Sequence, residues 1–145
     1  MDFLKIFTNK YIILPVVLWA VIQLFKFLAD LIKNRKVNFK RLFGAGGMPS
    51  SHSAVVCSLA AMIGKDLGYD SAIFGLSVIF ACVVMYDAAG VRRAAGKQAS
   101  VLNKILNTPN LSNVEVQEKL VEVLGHTPVQ VFVGAIIGIV VGSIF

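Results

Sequence analysis

Four apolar runs separated by charged loops constrain this chain more than any other feature. The first, from about Tyr11 to Ile32, is long enough to cross the roughly 30 Å hydrocarbon core of a bilayer as a helix rising about 1.5 Å per residue. The third, about Ser71 to Ala89, contains IFGLSVIFACVVMY and is a second such span; the last opens at Thr127 and runs to Phe145. The second, from Pro49 to about Leu67, is short and rich in Ala, Ser and Gly, which suits close packing inside a bundle better than lipid contact. A water-soluble domain of 145 residues has too much surface for its volume to hide four such segments. Composition agrees: 57% of residues are hydrophobic where soluble domains carry about 45–50%, and 15% are charged where they carry about 25%. The expected fold class is all-α, an integral membrane bundle of about four transmembrane helices with a short amphipathic helix before the last span. A single membrane domain is expected over residues 1–145, with spans near 11–32, 50–67, 71–89 and 127–145.

Lys and Arg number 14 against 8 Asp and Glu, a net charge of +6. On a chain this apolar, the excess points to membrane topology and anionic lipid, not to nucleic acid. The first run is too long for a secretory signal, and no small-residue cleavage site follows it. Lys33, Arg35, Lys36, Lys40 and Arg41 make a strongly basic loop, and Arg92, Arg93, Lys97 and Lys104 follow span three. With four spans those two regions share one side. The Lys/Arg bias assigns that side to the cytoplasm, with both termini outside.

From Gly90 to His126 the chain turns polar. Residues 91–106 read as a basic helix, Asn107-Thr108-Pro109-Asn110 as a turn, and Ser112-x-x-Glu115 as a capping box opening an amphipathic helix. Gly125 ends that helix, and Thr127 and Pro128 read as the cap and first residue of the last span. Cys57 and Cys82 lie in apolar runs with no C-x-x-C and no neighbouring His. They read as small buried hydrophobes, and no metal site is expected.

The chain has 2 histidines. His52 lies in Gly46-Gly47-Met48-Pro49-Ser50-Ser51-His52-Ser53 at the start of span two, and His126 lies just before span four. In a four-span alternation both starts face one side, together with Asp87, Arg92 and Arg93 at the end of span three. Lys26 reaches that side on a polar stripe with Gln23, Asp30 and Lys33. Polar groups are costly in a membrane, so their convergence marks a site.

The pattern suits an anion. Glycines allow close backbone approach, Pro49 presets a first helical turn, and the amides of a helix start carry partial positive charge. Ser50 and Ser51 add hydroxyls, and arginine grips phosphate bidentately. Two imidazoles with pKa near about 6.5, flanking a phosphate, can act as nucleophile and general acid. Each residue also has an ordinary structural use: Ser50 and Asp87 as caps, Lys26–Asp30 as an i,i+4 pair, Arg92 and Arg93 as interfacial anchors.

Pro49-Ser50-Ser51-His52 resembles the Pro-Ser-Gly-His signature of the type 2 phosphatidic acid phosphatase (PAP2) superfamily, which also contains the vanadium haloperoxidases. Gly125-His126-Thr127-Pro128, leading to Gly134 and Gly138, resembles the end of that superfamily's third motif, S-R-x5-H-x3-D. More closely, Gly46 to Ala54, Tyr86 to Asn103 (YDAAGVRRAAGKQASVLN) and Leu124 to Gly138 resemble the divergent PAP2 family of small bacterial and plastid membrane proteins. The resemblance implies that His126 attacks phosphorus to form a phosphohistidine and that His52 protonates the leaving oxygen. It further implies that Ser50 and Ser51 hold phosphoryl oxygens, and that no metal or other cofactor takes part. The chain departs from the pattern in four places. Ser51 replaces the motif glycine, Gln130 stands where an imidazole-orienting aspartate is expected, and Leu120 stands at the third motif's arginine. The first motif, K-x6-R-P, is matched only loosely by Lys26-x6-Lys33-Asn34. Asp87 is therefore expected to orient a histidine, and Arg92 or Arg93, with Lys26, to clamp the phosphate.

The expected activity is a metal-independent phosphatase, a phosphoric monoester or diphosphate hydrolase, acting on a membrane lipid phosphate ester. A site among spans at the bilayer interface is reached laterally by an amphiphile. Phosphatidylglycerol phosphate, phosphatidate and a polyprenyl (di)phosphate all fit. The alternative is a catalytically degenerate PAP2-like protein that binds or moves an anionic lipid. Gly134, Gly138 and Gly142 form a strip of small residues suited either to a homodimer contact or to packing within the chain.

Overall fold

The structure, a computed structural model, describes residues 3–35, 37, 47–106, 120 and 125–145. The amphipathic helix expected from Ser112 and the basic residues Lys36, Lys40 and Arg41 lie outside the described residues. A 3-10 segment, Phe3–Thr8, leads into α1 (Lys10–Asn34), followed by α2 (Ser51–Leu67), α3 (Ala72–Ala89), α4 (Val91–Leu106) and α5 (Pro128–Ile144). Four starts are set by a short polar side chain that accepts from an amide lacking a helical partner. Asn9 takes the amide of Tyr11, Ser50 that of Ser53, Ser71 that of Phe74 and Thr127 that of Gln130.

α2 is the centre of the bundle, with α1, α3 and α5 all packed on it. Its small buried residues, Ser53, Ala54, Cys57, Ser58 and Ala60, allow three neighbours to approach closely. α5 comes nearest. Gly134, Gly138 and Gly142 face the carbonyls of Ser50, Ala54 and Ser58 so tightly that a Cβ at any of them would clash. Equal steps along both helices make α2 and α5 parallel with level starts. The glycine strip is thus used within the chain.

α1 and α3 run antiparallel to α2. Leu18 and Ile22 of α1 pack on Ala54, while at the far end Lys10 and Tyr11 meet Asp66 at 2.6 and 3.0 Å. Ala81 of α3 packs with Val56 and Cys57, and the Cys57 Sγ lies 3.8 Å from the Met85 Sδ. Cys82, expected to be buried, is exposed, because α3 meets the bundle along one side only.

The outer surface is greasy: Val17, Val21 and Leu24 on α1, Leu76, Ile79 and Val83 on α3, and Phe132, Ile136 and Val140 on α5 are all exposed. α1 carries a window of mean hydropathy 2.3, and the helical run from Ala72 one of 2.0, yet only 28% and 17% of these windows are buried within the protein. The core helix of a soluble protein would be covered by its own chain; these faces need hydrocarbon. The fold is an all-α membrane bundle.

Candidate functional site

Because α2 and α5 run parallel from level starts, both histidines reach one end of the bundle. Their ring centroids are 6.1 Å apart, with the planes at 62°. His52 sits in the first turn of α2. His126 is held just before α5 by the end of α3: its amide donates to the Ala88 carbonyl at 2.9 Å. Gly125, with φ of +85°, packs on the backbone of Ala88, Arg92 and Arg93 where a Cβ has no room. Backbone contacts therefore fix the position of His126.

Gln130 fixes its protonation. The Gln130 Oε1 accepts the Thr127 amide at 3.0 Å and lies 3.3 Å from the His126 Nδ1, while the Thr127 hydroxyl accepts the Gln130 amide at 3.3 Å. A backbone amide can only donate, so the Gln130 atom that meets it is the carbonyl oxygen, and Nδ1 must donate to that oxygen too. The ring proton then sits on Nδ1 and the lone pair on Nε2. That Nε2 is buried and has no hydrogen-bond partner among the described residues, and the same holds for the Nδ1 of His52. Buried polar atoms are normally satisfied, so an orphaned nitrogen on each of two neighbouring rings fits a polar ligand.

The charges around them are mixed. Lys26, only 4% exposed, acts electrostatically on both imidazoles, and Arg92 and Asp87 act on His52. Burial first, then the Lys26 cation, hold the His126 imidazole below the ordinary histidine value of 6.5, against the opposing pulls of its bond to Gln130 and of the Gly47 backbone near the ring. Burial and the Lys26 cation thus favour the neutral ring.

Asp87, expected to orient a histidine, is paired instead with the Nε of Arg92 at 2.6 Å. The orienting position is filled by Gln130, four residues after His126 and on the same capping turn. Arg93 presents its backbone to Gly125 and leaves its side chain exposed. Ser50 is engaged in holding α2: its hydroxyl oxygen accepts from the Ser53 amide and hydroxyl at 3.3 and 2.9 Å, and its own amide donates to Gln130. Ser51 and His52 open the helix, so no carbonyl one turn earlier accepts from their amides. Among the described residues no cluster of three His, Cys, Asp or Glu is placed to hold a metal.

One opening reaches His52 and another lies beside Lys26. On one side of α1, Lys26, Asp30, Lys33 and Met48 line a polar cavity of about 210 Å³. Between α1 and α3, Trp19, Val55, Phe80 and Val84 line an apolar groove of about 390 Å³ that reaches His52. Sequence reasoning missed this groove, since its walls are generic apolar residues. It also missed the role of Gln130, although Thr127-x-x-Gln130 carries the spacing of a capping box. Nor did any sequence signal mark Asn103, whose amide side chain pairs with both the carbonyl and the amide of Leu120 at 2.9 and 3.1 Å.

Helices that need hydrocarbon, and a pair of histidines, one buried and one half-buried, beside charged side chains at one end of them, define a membrane protein with a polar site where apolar groove and charged end meet. The chain belongs to the divergent PAP2 family, whose model matches residues 7–141. It is similar to an uncharacterized membrane protein of Bacillus subtilis (strain 168), YuiD, at 41% identity over 81% of each chain. No solved structure matches it.

Proposed function

We propose that this chain hydrolyses a membrane lipid phosphate ester through a phosphohistidine on His126. The observation that carries the reading is a buried ring, His126, beside a half-buried one, His52, with centroids 6.1 Å apart and a buried, unpartnered nitrogen on each among the described residues. The Nε2 lone pair of His126 attacks phosphorus, the bond from phosphorus to the ester oxygen breaks, and protonated His52 gives its proton to that oxygen. Water then attacks the phosphohistidine with His52 as base, releasing phosphate and restoring His126. Lys26, the outer nitrogens of Arg92 and the amides at the start of α2 supply positive charge for the phosphoryl oxygens. Family membership and the apolar groove ending at His52 support a substrate with its head at the histidines and its tail in the membrane. The Lys and Arg excess around this end supports a cytoplasmic orientation in a bacterial inner membrane.

A second reading, a PAP2-like protein that binds or moves an anionic lipid, is favoured by Gln130: a neutral amide stabilises a developing imidazolium less than a carboxylate does. Purified protein in EDTA, given a panel of lipid phosphates, separates the two. Hydrolysis predicts phosphate release that is lost in His52→Ala and His126→Ala, and an acid-labile phosphoryl group mapping to His126. Tight lipid binding with no release and no trapped phosphoryl group favours the second reading.

A further inference from the structure

α4 begins where span three leaves the hydrocarbon. The 18 residues of α3 rise about 27 Å at 1.5 Å each, close to the thickness of a bilayer core. After Gly90, whose backbone angles interrupt the helix, α4 packs, among the described residues, substantially against no helix but α3. Its three faces differ. Gly96, Ala99 and Asn103, at helical spacing, are buried, and Asn103 pairs with both backbone groups of Leu120. Val91, Val101, Leu102 and Ile105, exposed by 60, 56, 48 and 45%, form a second, largely apolar face that also carries the exposed Gln98. Arg93 and Lys97, both exposed, stand on the third, with Lys104 in the same register. The helix carries no Asp or Glu.

An exposed apolar face beside a purely cationic one, at the edge of a membrane protein, is the pattern of a helix lying in the headgroup layer. We infer that α4 docks in the plane of the membrane on anionic lipid, its apolar face in the acyl boundary and its basic face against phosphate headgroups. Charge selects this occupant over a second copy of the chain, because two such helices brought face to face would set Arg93 and Lys97 against their own kind. A zwitterionic surface would receive the apolar face but leave the cations without counter-charge. This inference does not depend on hydrolysis: no histidine takes part.

A nitroxide on Leu102→Cys, in a chain with exposed Cys82→Ala and buried Cys57 left in place, tests it. The protein is reconstituted into vesicles of phosphatidylcholine alone or mixed equally with phosphatidylglycerol. Accessibility to oxygen, which enters the bilayer, is compared with that to a water-soluble nickel chelate. In anionic vesicles the label should be open to oxygen and shielded from nickel, and high salt or neutral lipid should reverse this. Lys97→Glu, a swing of two charge units, should lower the ratio of docked to undocked helix roughly thirtyfold, and Lys97→Arg should leave it unchanged. Nickel access in both lipids, or shielding equal in both and indifferent to Lys97→Glu, overturns the inference. So does spin–spin broadening between copies, which would make the face a dimer contact. Circular dichroism of each variant keeps a folding failure apart from these outcomes, and a label at Val101→Cys repeats the measurement one residue away.

Discussion

The amide of Ser50 donates to the carbonyl of Gln130 across 3.0 Å, and this bond levels the starts of α2 and α5. His52 lies just after the first residue and His126 just before the second. Two imidazoles far apart in sequence therefore reach the same depth. The carbonyl of Ser50 in turn lies against Gly134, so the contact that aligns the helices is also the one that tolerates no side chain.

Gly134→Ala should push α5 away from α2 at the level of the histidines. Overpacking of this kind costs about 1–3 kcal/mol. A lowered unfolding temperature in detergent, with a larger fractional loss of phosphate release than Gly142→Ala causes at the far end, is the expected pair of results. Equal losses from the two variants would sever the link between helix alignment and the site.

Gln130→Leu removes the acceptor that holds the proton of His126 on Nδ1 and loosens the cap of α5. A net hydrogen bond is worth about 0.5–1.5 kcal/mol, so kcat should fall about tenfold, with KM changing less. Gln130→Glu keeps the geometry and adds a charge that favours the imidazolium. Its acid limb in the pH–rate profile should therefore move to higher pH. An unmoved limb would argue against the contact between His126 and Gln130.

The pH dependence has a definite sign. Burial and Lys26 lower the His126 value, and only the neutral ring can attack phosphorus. The acid limb of the rate profile should rise with pH through a midpoint below 6.5, a second limb should fall as His52 loses its proton, and Lys26→Gln should bring the acid-limb midpoint back up. Stability follows the same linkage. The contribution of His126 is fully present above its unfolded value and is lost as pH falls through that value toward the folded one. Profiles of kcat/KM, with unfolding followed over the same pH range, check both.

Asp87→Asn should leave thermal stability nearly unchanged, because the pair with Arg92 is 39–47% exposed and such pairs are worth under about 1 kcal/mol. Its effect should fall on phosphate binding, through an Arg92 side chain no longer held in place, and KM should rise more than kcat falls. A dominant fall in kcat would mean that Asp87 acts on an imidazole after all.

Val84→Trp should fill the groove beside His52. Turnover of long-chain lipid phosphates should drop severalfold while a short, water-soluble phosphate ester is hydrolysed as before. If both substrates suffer alike, the groove is not where the tail lies.

The helices were legible because hydrocarbon imposes a local rule: every apolar run must satisfy its backbone internally and be long enough to cross. Thr127 and Pro128 announced the start of α5, and the four-span alternation placed His52 and His126 on one side. The fine chemistry was not local. Asp87 is near the histidines in the alternation, yet in space it is closest to Arg92, and the imidazole of His126 turns to Gln130. A span count fixes which face a residue reaches but not its rotation about the helix axis.

What the chain's order of residues determined by itself is the membrane class, the helices and the side on which each polar group emerges, since these follow from hydropathy and spacing along one strand of backbone. Only tertiary packing decided the distance between the rings and which nitrogen of His126 stays unpaired. Close packing of Gly134 on the Ser50 carbonyl sets the rotation and depth of α5, and hydrogen bonding is sensitive to such small displacements where hydrophobic burial is not.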